Sequence, residues 1–167
     1  MFGFSSIFQT GFLLISLISF SANSVFSSFV YLVVYILATM GIYISLLGVR
    51  RKGVYVENLS DINGLSASKP YISAALLLFL VSLTGSAPTL GFLGSLSVVN
   101  NLVMEGNYYL VAVVLLSLTL IANGYLRIIK AIYFTSSPNI FDRADRGIYV
   151  FLFVNLIIVI VALLHPR

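Results

Sequence analysis

The sequence predicts an all-α, polytopic membrane protein with five transmembrane helices, the third interrupted near Pro88. Three observations carry that reading. Hydrophobic residues make up 60% of the 167 and charged residues 8%, where a soluble domain carries about 25% charged. Nine basic and five acidic side chains cannot clothe a water-facing surface. Apolar runs recur at lengths suited to a helical crossing, which takes about 20 residues. Finally, the basic residues gather at the ends of those runs in a lopsided way.

The first apolar segment covers residues 4–20 and the second residues 25–49, which stops at the run Arg50-Arg51-Lys52. A polar connection over residues 50–69 follows, with Glu57 and Asp61 among Asn, Ser and Gly. It is the expected place for a short extramembrane element. Segment three opens at Pro70, a good first helical residue because a helix start leaves its donor unpaired anyway. It meets Gly85, Ser86 and Pro88, then resumes as an apolar run up to Glu105. Segment four covers residues 108–134 and segment five residues 148–164, separated by the charged loop SSPNIFDRADRG.

Residues 70–104 allow one crossing or two, because Pro88 with Gly85, Gly91 and Gly94 breaks any helix running through. Charge arbitrates. With one crossing, Arg50, Arg51, Lys52, Lys69, Arg127, Lys130, Arg143 and Arg146 all lie toward one side, eight of the nine basic residues, with Arg167 opposite. With two crossings the split is five to four. The positive-inside rule selects the asymmetric arrangement. A broken helix within a bilayer is tolerated only where protein or a wet cavity satisfies its backbone, and such helices commonly sit at transport sites. A simple proline kink is the plainer alternative.

Composition excludes several chemistries. There is no cysteine, so disulfides, thiolate metal ligands and cysteine nucleophiles are out. A lone histidine, His165, cannot build a histidine metal site or a catalytic dyad. The net charge of +4 comes from too few basic residues for a nucleic-acid footprint. The first twenty residues carry no charge and so lack the basic start of a signal peptide. Asn58-Leu59-Ser60 fits a glycosylation acceptor, but its place on the basic side argues against modification.

Several stretches resemble one family. SLTGSAPTLGFLGS, residues 82–95, resembles the SLAG(I/L)PP-x-x-GF-x-x-K signature of the antiporter-like subunits of respiratory complex I, which are related to subunits of multi-subunit cation/proton antiporters. SSIFQTGF (5–12) resembles AYSSI-x-H-x-GY, and YLVVYILATMGIY (31–43) resembles YLLAY-x-x-MNLGAF. ENLSDINGLSASKP (57–70) resembles DLSDYRGL-x-x-x-x-P, and YLRIIKAIYF (125–134) resembles YYLRV-x-x-x-MYF. Five fragments in family order are specific together. The Tyr31 and Tyr35 pattern points to the subunit 2 branch.

The resemblance implies a fold of fourteen helices with two inverted five-helix repeats, of which this chain supplies the last five as one membrane domain over residues 1–167. It implies either a subunit split into two polypeptides, with a separate chain carrying the first nine helices, or a fragment; Met1 just before the AYSSI-like motif favours the split, with other membrane-arm subunits and membrane lipid as further partners. NADH, FMN, iron–sulfur clusters and ubiquinone are expected in other subunits. This chain is expected to hold no cofactor, metal or catalytic residue, and to share in the enzyme only as part of the complex. A mitochondrial inner membrane with the basic loops in the matrix is the expected location, ahead of a bacterial inner membrane. A subunit of a cation/proton antiporter and a scaffold-only subunit are the alternatives.

The chain departs from the family pattern where it matters most. The lysine of GF-x-x-K is replaced by Ser95, and the histidine of AYSSI-x-H by Gln9. A serine hydroxyl relays protons through water but does not hold a charge near neutral pH, which implies an inactive or rerouted half-channel. Proton-path candidates are therefore Ser95, Lys130, Arg127, Gln9, Ser6 and Ser86, with Gly85, Pro88 and Gly91 forming the helix break. Arg127 and Lys130 lie near the end of segment four, where long cationic side chains also reach an interface by snorkelling. Glu105 reads as the end of an interfacial loop, and His165 as an interfacial residue. The other polar residues serve equally as hydrogen-bonding glue between helices.

Overall fold

The computed structural model describes residues 2–18, 22–51, 53–55, 58–86, 89–135, 141–142 and 146–164. Apart from one hairpin of two-residue strands, its regular structure is helical: α1 (Phe2–Ser16), α2 (Ala22–Leu47), β1 (Arg50–Arg51), β2 (Val54–Tyr55), a 3₁₀ turn (Leu59–Ile62), α3 (Leu65–Ser68), α4 (Pro70–Leu83), α5 (Leu90–Met104), α6 (Tyr108–Phe134) and α7 (Arg146–Leu164). Segment four matches α6 end to end. The polar connection contains the hairpin, the 3₁₀ turn and α3. Pro88 and His165 lie outside the described residues.

Among the described residues, two helices, α2 over Ser24–Leu47 and α6, are long and apolar enough to cross a membrane alone. α1, α5 and the fully described part of α7, Gly147–Val159, are shorter apolar helices. The third segment is interrupted. α4 has 14 residues and α5 has 15, about 21 and 22 Å at 1.5 Å per residue, and neither reaches the roughly 30 Å of hydrocarbon. Gly85 ends α4 at φ +66°, a left-handed conformation that costs glycine nothing, and its N–H returns to Ser82 O at 3.1 Å. Thr89, in extended conformation, restarts the chain as α5.

The chain packs as two compact units. One comprises residues 1–36 and 82–124, the other residues 37–81 and 125–167. In the first, Phe12, Tyr31, Val98, Leu102 and Val114 form the core. In the second, Ile42, Leu65, Ile72, Leu76, Phe79, Leu80 and Ile132 are fully buried, and Asn155 donates from Nδ2 to Leu37 O at 3.3 Å. Large apolar side chains face outward in both, among them Phe26, Phe29, Leu116, Phe151 and Phe153. A chain that exposes this much apolar surface is built for lipid or for protein neighbours.

Candidate functional site

The first unit is organised inside-out relative to a soluble protein. α2 buries Ser24, Ser27, Ser28 and Tyr31, spaced i, i+3, i+4, i+7, while Val25, Phe26 and Phe29 face outward. That spacing is one face of an α-helix, so the polar stripe is a property of the sequence. α1 turns Gln9, Phe12 and Ser16 inward, and α5 contributes Gly91, Gly94, Ser95, Val98 and Leu102. The stripes meet through hydrogen bonds. Ser16 Oγ and Ser28 Oγ are 2.5 Å apart, Asn101 Nδ2 donates to Ser27 Oγ at 2.8 Å, and Ser24 Oγ donates to Glu105 Oε1 at 3.3 Å. Without a hydrophobic force between helices in lipid, such bonds and close packing hold the unit together.

The seam centres on Gln9. This side chain is completely buried, and its Oε1 accepts the hydroxyl proton of Tyr31. Its Nε2 has no hydrogen-bond partner among the described residues. The Tyr31 ring lies against Phe12, with centroids 4.6 Å apart, and a Cβ on Gly94 would stand 3.1 Å from Tyr31 Cδ2. Small residues on α5 thus let that ring seat.

Next to the seam lies the helix break. Gly91 packs so tightly that an added Cβ would fall 1.7 Å from Ser82 O, and its N–H points at Ser82 Oγ, 3.3 Å away. Ser95 is buried, donates to Phe92 O at 3.1 Å, and stands 3.0 Å from where a Cβ on Gly85 would be. Tyr31, Tyr35, Ser82, Gly85, Gly91 and Ser95 line a cavity of about 10 Å³. That volume is at the threshold for one water molecule, and its polar lining offers the partners a water needs. The arrangement passes hydrogen bonds between neutral groups; none of these side chains holds a charge near neutral pH.

Of the candidates, the structure brings Ser95, Gln9, Gly85 and Gly91 into the first unit's seam and break. Ser6 is exposed and bonds back to Gly3 O at 2.8 Å. Ser86 is exposed in the break, where its carbonyl accepts from Thr89 Oγ1 at 2.6 Å. Arg127 and Lys130 belong to the second unit, are exposed, and do not line the cavity. Glu105 is exposed at the end of α5, at the edge expected for it. Three residues were missed. Tyr31 is the partner of Gln9, which the serine–tyrosine stripe of α2 signalled. Asn155, buried with Oδ1 unpaired among the described residues, stood out as a strongly polar residue within an apolar run. Lys69, counted with the loop charges, is buried.

Residues 1–121 match the family described as NADH:quinone oxidoreductase/Mrp antiporter, TM. The chain belongs to this family. Relatives of this antiporter-like chain include NADH-quinone oxidoreductase subunit N of Pelagibacter ubique, 34% identical over 149 residues covering 89% of this chain and 31% of the relative. The subunit N of Nitrosomonas europaea is 37% identical over 135 residues, covering 80% and 28%. Among solved structures, a chain of respiratory complex I from Thermus thermophilus with bound Aureothin shares the fold, with a TM-score of 0.79 at 22% identity over 96% of this chain and 36% of that one. The chain thus spans under a third of the length of these two relatives. Both are bacterial, so the mitochondrial location expected from the sequence finds no support in them.

Proposed function

We propose that this chain is the C-terminal part of an antiporter-like membrane-arm subunit of an NADH:quinone oxidoreductase, contributing a hydrated path to proton translocation. The observation that carries the reading is the seam itself: a completely buried Gln9 bound to Tyr31, beside an interrupted helix whose break encloses Ser95. Ser95 standing where relatives are expected to carry lysine makes this half-channel a neutral relay that holds no proton of its own. In this reading the chain crosses the membrane five times, α4 and α5 together forming one interrupted crossing. The basic loops face the bacterial cytoplasm or the mitochondrial matrix, and the remaining helices of the subunit come from elsewhere in the polypeptide or from a second chain. NADH, flavin, iron–sulfur clusters and quinone are bound by other subunits.

The test is the number of protons moved per NADH oxidised by the assembled enzyme in sealed membranes. Replacing Gln9 by Leu and Tyr31 by Phe together lowers that ratio if the seam conducts. An unchanged ratio leaves the chain a scaffold. The family also contains antiporter subunits without redox partners, and a native gel separates that reading. Migration in a band with NADH dehydrogenase activity supports the complex I assignment, and migration only outside such a band overturns it.

A further inference from the structure

Among the described residues, the seam's one carboxylate is Glu105, exposed at the end of α5 where it accepts from Ser24 Oγ, and Arg127 and Lys130 are exposed. A buried amine exists elsewhere in the chain. Lys69 is only 8% exposed and is the single residue between α3 and α4, where the helical segment Ser60–Ser68 meets α4 at 118°. Its backbone is non-helical, at φ −138° and ψ 73°, because Pro70 disfavours the helical region for the residue before it. The joint is nevertheless tied into both helices. The Lys69 N–H donates to Leu65 O at 2.8 Å, and Ser73 N donates to Lys69 O at 3.0 Å.

The side chain turns back to the end of α2, where Nζ donates to Gly48 O at 2.8 Å. A carbonyl at a helix C-terminus carries partial negative charge and favours a cation. Burial works against the charged form and pushes the amine below its ordinary value of 10.5, while Asp142, from the segment between α6 and α7, pulls it back up. Asp142 is itself fixed, with Oδ2 accepting from Gly53 N at 2.7 Å and its own N–H donating to Arg50 O at 2.9 Å. The other charged side chains described in the connection are engaged locally. The Arg50 guanidinium donates to Tyr55 Oη at 2.6 Å, and Asp61 Oδ2 accepts from Asn58 N at 3.0 Å.

We propose that Lys69 is a protonation-sensitive positioning residue of the second unit, an amine at the α3–α4 joint that exchanges its proton with water on the loop side and thereby sets how firmly the start of α4 is held during translocation. This rests on the reading of the chain as part of a proton-translocating module. In the charged form the ammonium ties the joint to the end of α2; in the neutral form that tie loses its charge assistance, and the start of α4 is held less firmly. A long cation of either kind caps a helix, but lysine gives up its proton readily where arginine stays charged. Arginine therefore separates the two roles.

The experiment replaces Lys69 by Arg in the assembled enzyme and reads protons moved per NADH oxidised. The expected result is a lower ratio in Lys69→Arg than in the wild type. An unchanged ratio makes Lys69 a helix cap and overturns the inference. The double variant Gln9→Leu with Tyr31→Phe tells the two failures apart. If it loses translocation and Lys69→Arg does not, the inference fails while the functional reading stands; if neither changes, the reading itself fails. Should the Arg variant not assemble, competitive acylation of the wild-type complex across pH decides. A Lys69 midpoint below the ordinary lysine value of 10.5 supports the proposal, and one at or above it overturns it. Stability gives the sign independently. Between the lowered folded value and 10.5 the unfolded chain binds more protons, so stability rises with pH through that window, and the rise disappears in Lys69→Arg.

Discussion

The two units hold themselves together by different means. The first is stitched mostly by neutral groups, with serines, Asn101, Tyr31 and Gln9 reaching across from α1, α2 and α5 and the Glu105 carboxylate joining at the end of α5. The second buries a mostly apolar interior, ties α7 to α2 through one amide, Asn155, and concentrates its charge chemistry at the loop end around Lys69, Asp142 and Arg50. The difference teaches where each unit keeps its polar chemistry. Among the described residues, the first unit's buried polar groups are neutral and its carboxylate, Glu105, lies exposed at the end of α5, whereas the second unit buries an amine, Lys69, at the α3–α4 joint. A buried amine is costly unless partnered, and Lys69 meets that cost through the Gly48 carbonyl, which couples the joint to the end of α2.

The comparison breaks most severely at glycine. In the first unit, Gly91→Ala would drive a methyl to 1.7 Å from the Ser82 carbonyl oxygen, a backbone atom that cannot move without shifting the end of α4. We expect a loss of about 3 kcal/mol or more, the upper end for overpacking, seen as failure of the subunit to accumulate in the assembled complex. In the second unit, Gly41→Ala meets the Phe79 ring at 2.5 Å. A ring edge can rotate away, so a loss of about 1–3 kcal/mol and a lowered thermal midpoint are expected. Equal costs at the two positions would mean that the break is no more constrained than ordinary helix packing.

A smaller effect sharpens the role of the seam. Tyr31→Phe takes from Gln9 Oε1 the bond the tyrosine supplied, so that it joins Nε2 in having no partner among the described residues, at about 1–3 kcal/mol for an unsatisfied buried group. Gln9→Leu added to it removes the orphaned amide, and the double variant should recover most of that loss in thermal stability. A double variant as unstable as the sum of the singles would show that the pair is not one coupled unit.

Much of this was legible in the sequence because the signals were local. The ends of α6 follow from Asn107 before the apolar run and the SSP that stops it. The break between α4 and α5 is expected from glycine and proline chemistry, and Gln9 and Ser95 stand out as replacements of the histidine and lysine that the family resemblance leads one to expect. What escaped depends on chain segments meeting across long separations. Lys69 reads as one more loop charge until α2 brings the Gly48 carbonyl to it, 21 residues away in sequence. Tyr31 reads as a helical aromatic until α1 sets Gln9 opposite its hydroxyl. The hairpin at Arg50–Tyr55 has strands of two residues, too short to show any alternation.

The smallest expected effect lies at the residue with the largest functional question. Ser95 is buried, yet its hydroxyl donates to Phe92 O on its own helix at 3.1 Å, a carbonyl one turn back that α5 also engages as backbone. Ser95→Ala removes a hydroxyl without orphaning a partner on another helix, and alanine is the better helix former. Stability should change by no more than about 0.5 kcal/mol, as for substitutions away from costly features, so the thermal midpoint of the assembled complex stays near the wild type. This near-neutrality is what makes the variant informative. The hydroxyl faces the small cavity at the break, and a fall in protons moved per NADH with stability intact would assign it to water handling there. A large loss of stability would instead place Ser95 among the groups that hold the first unit together, and with it the seam would become architecture.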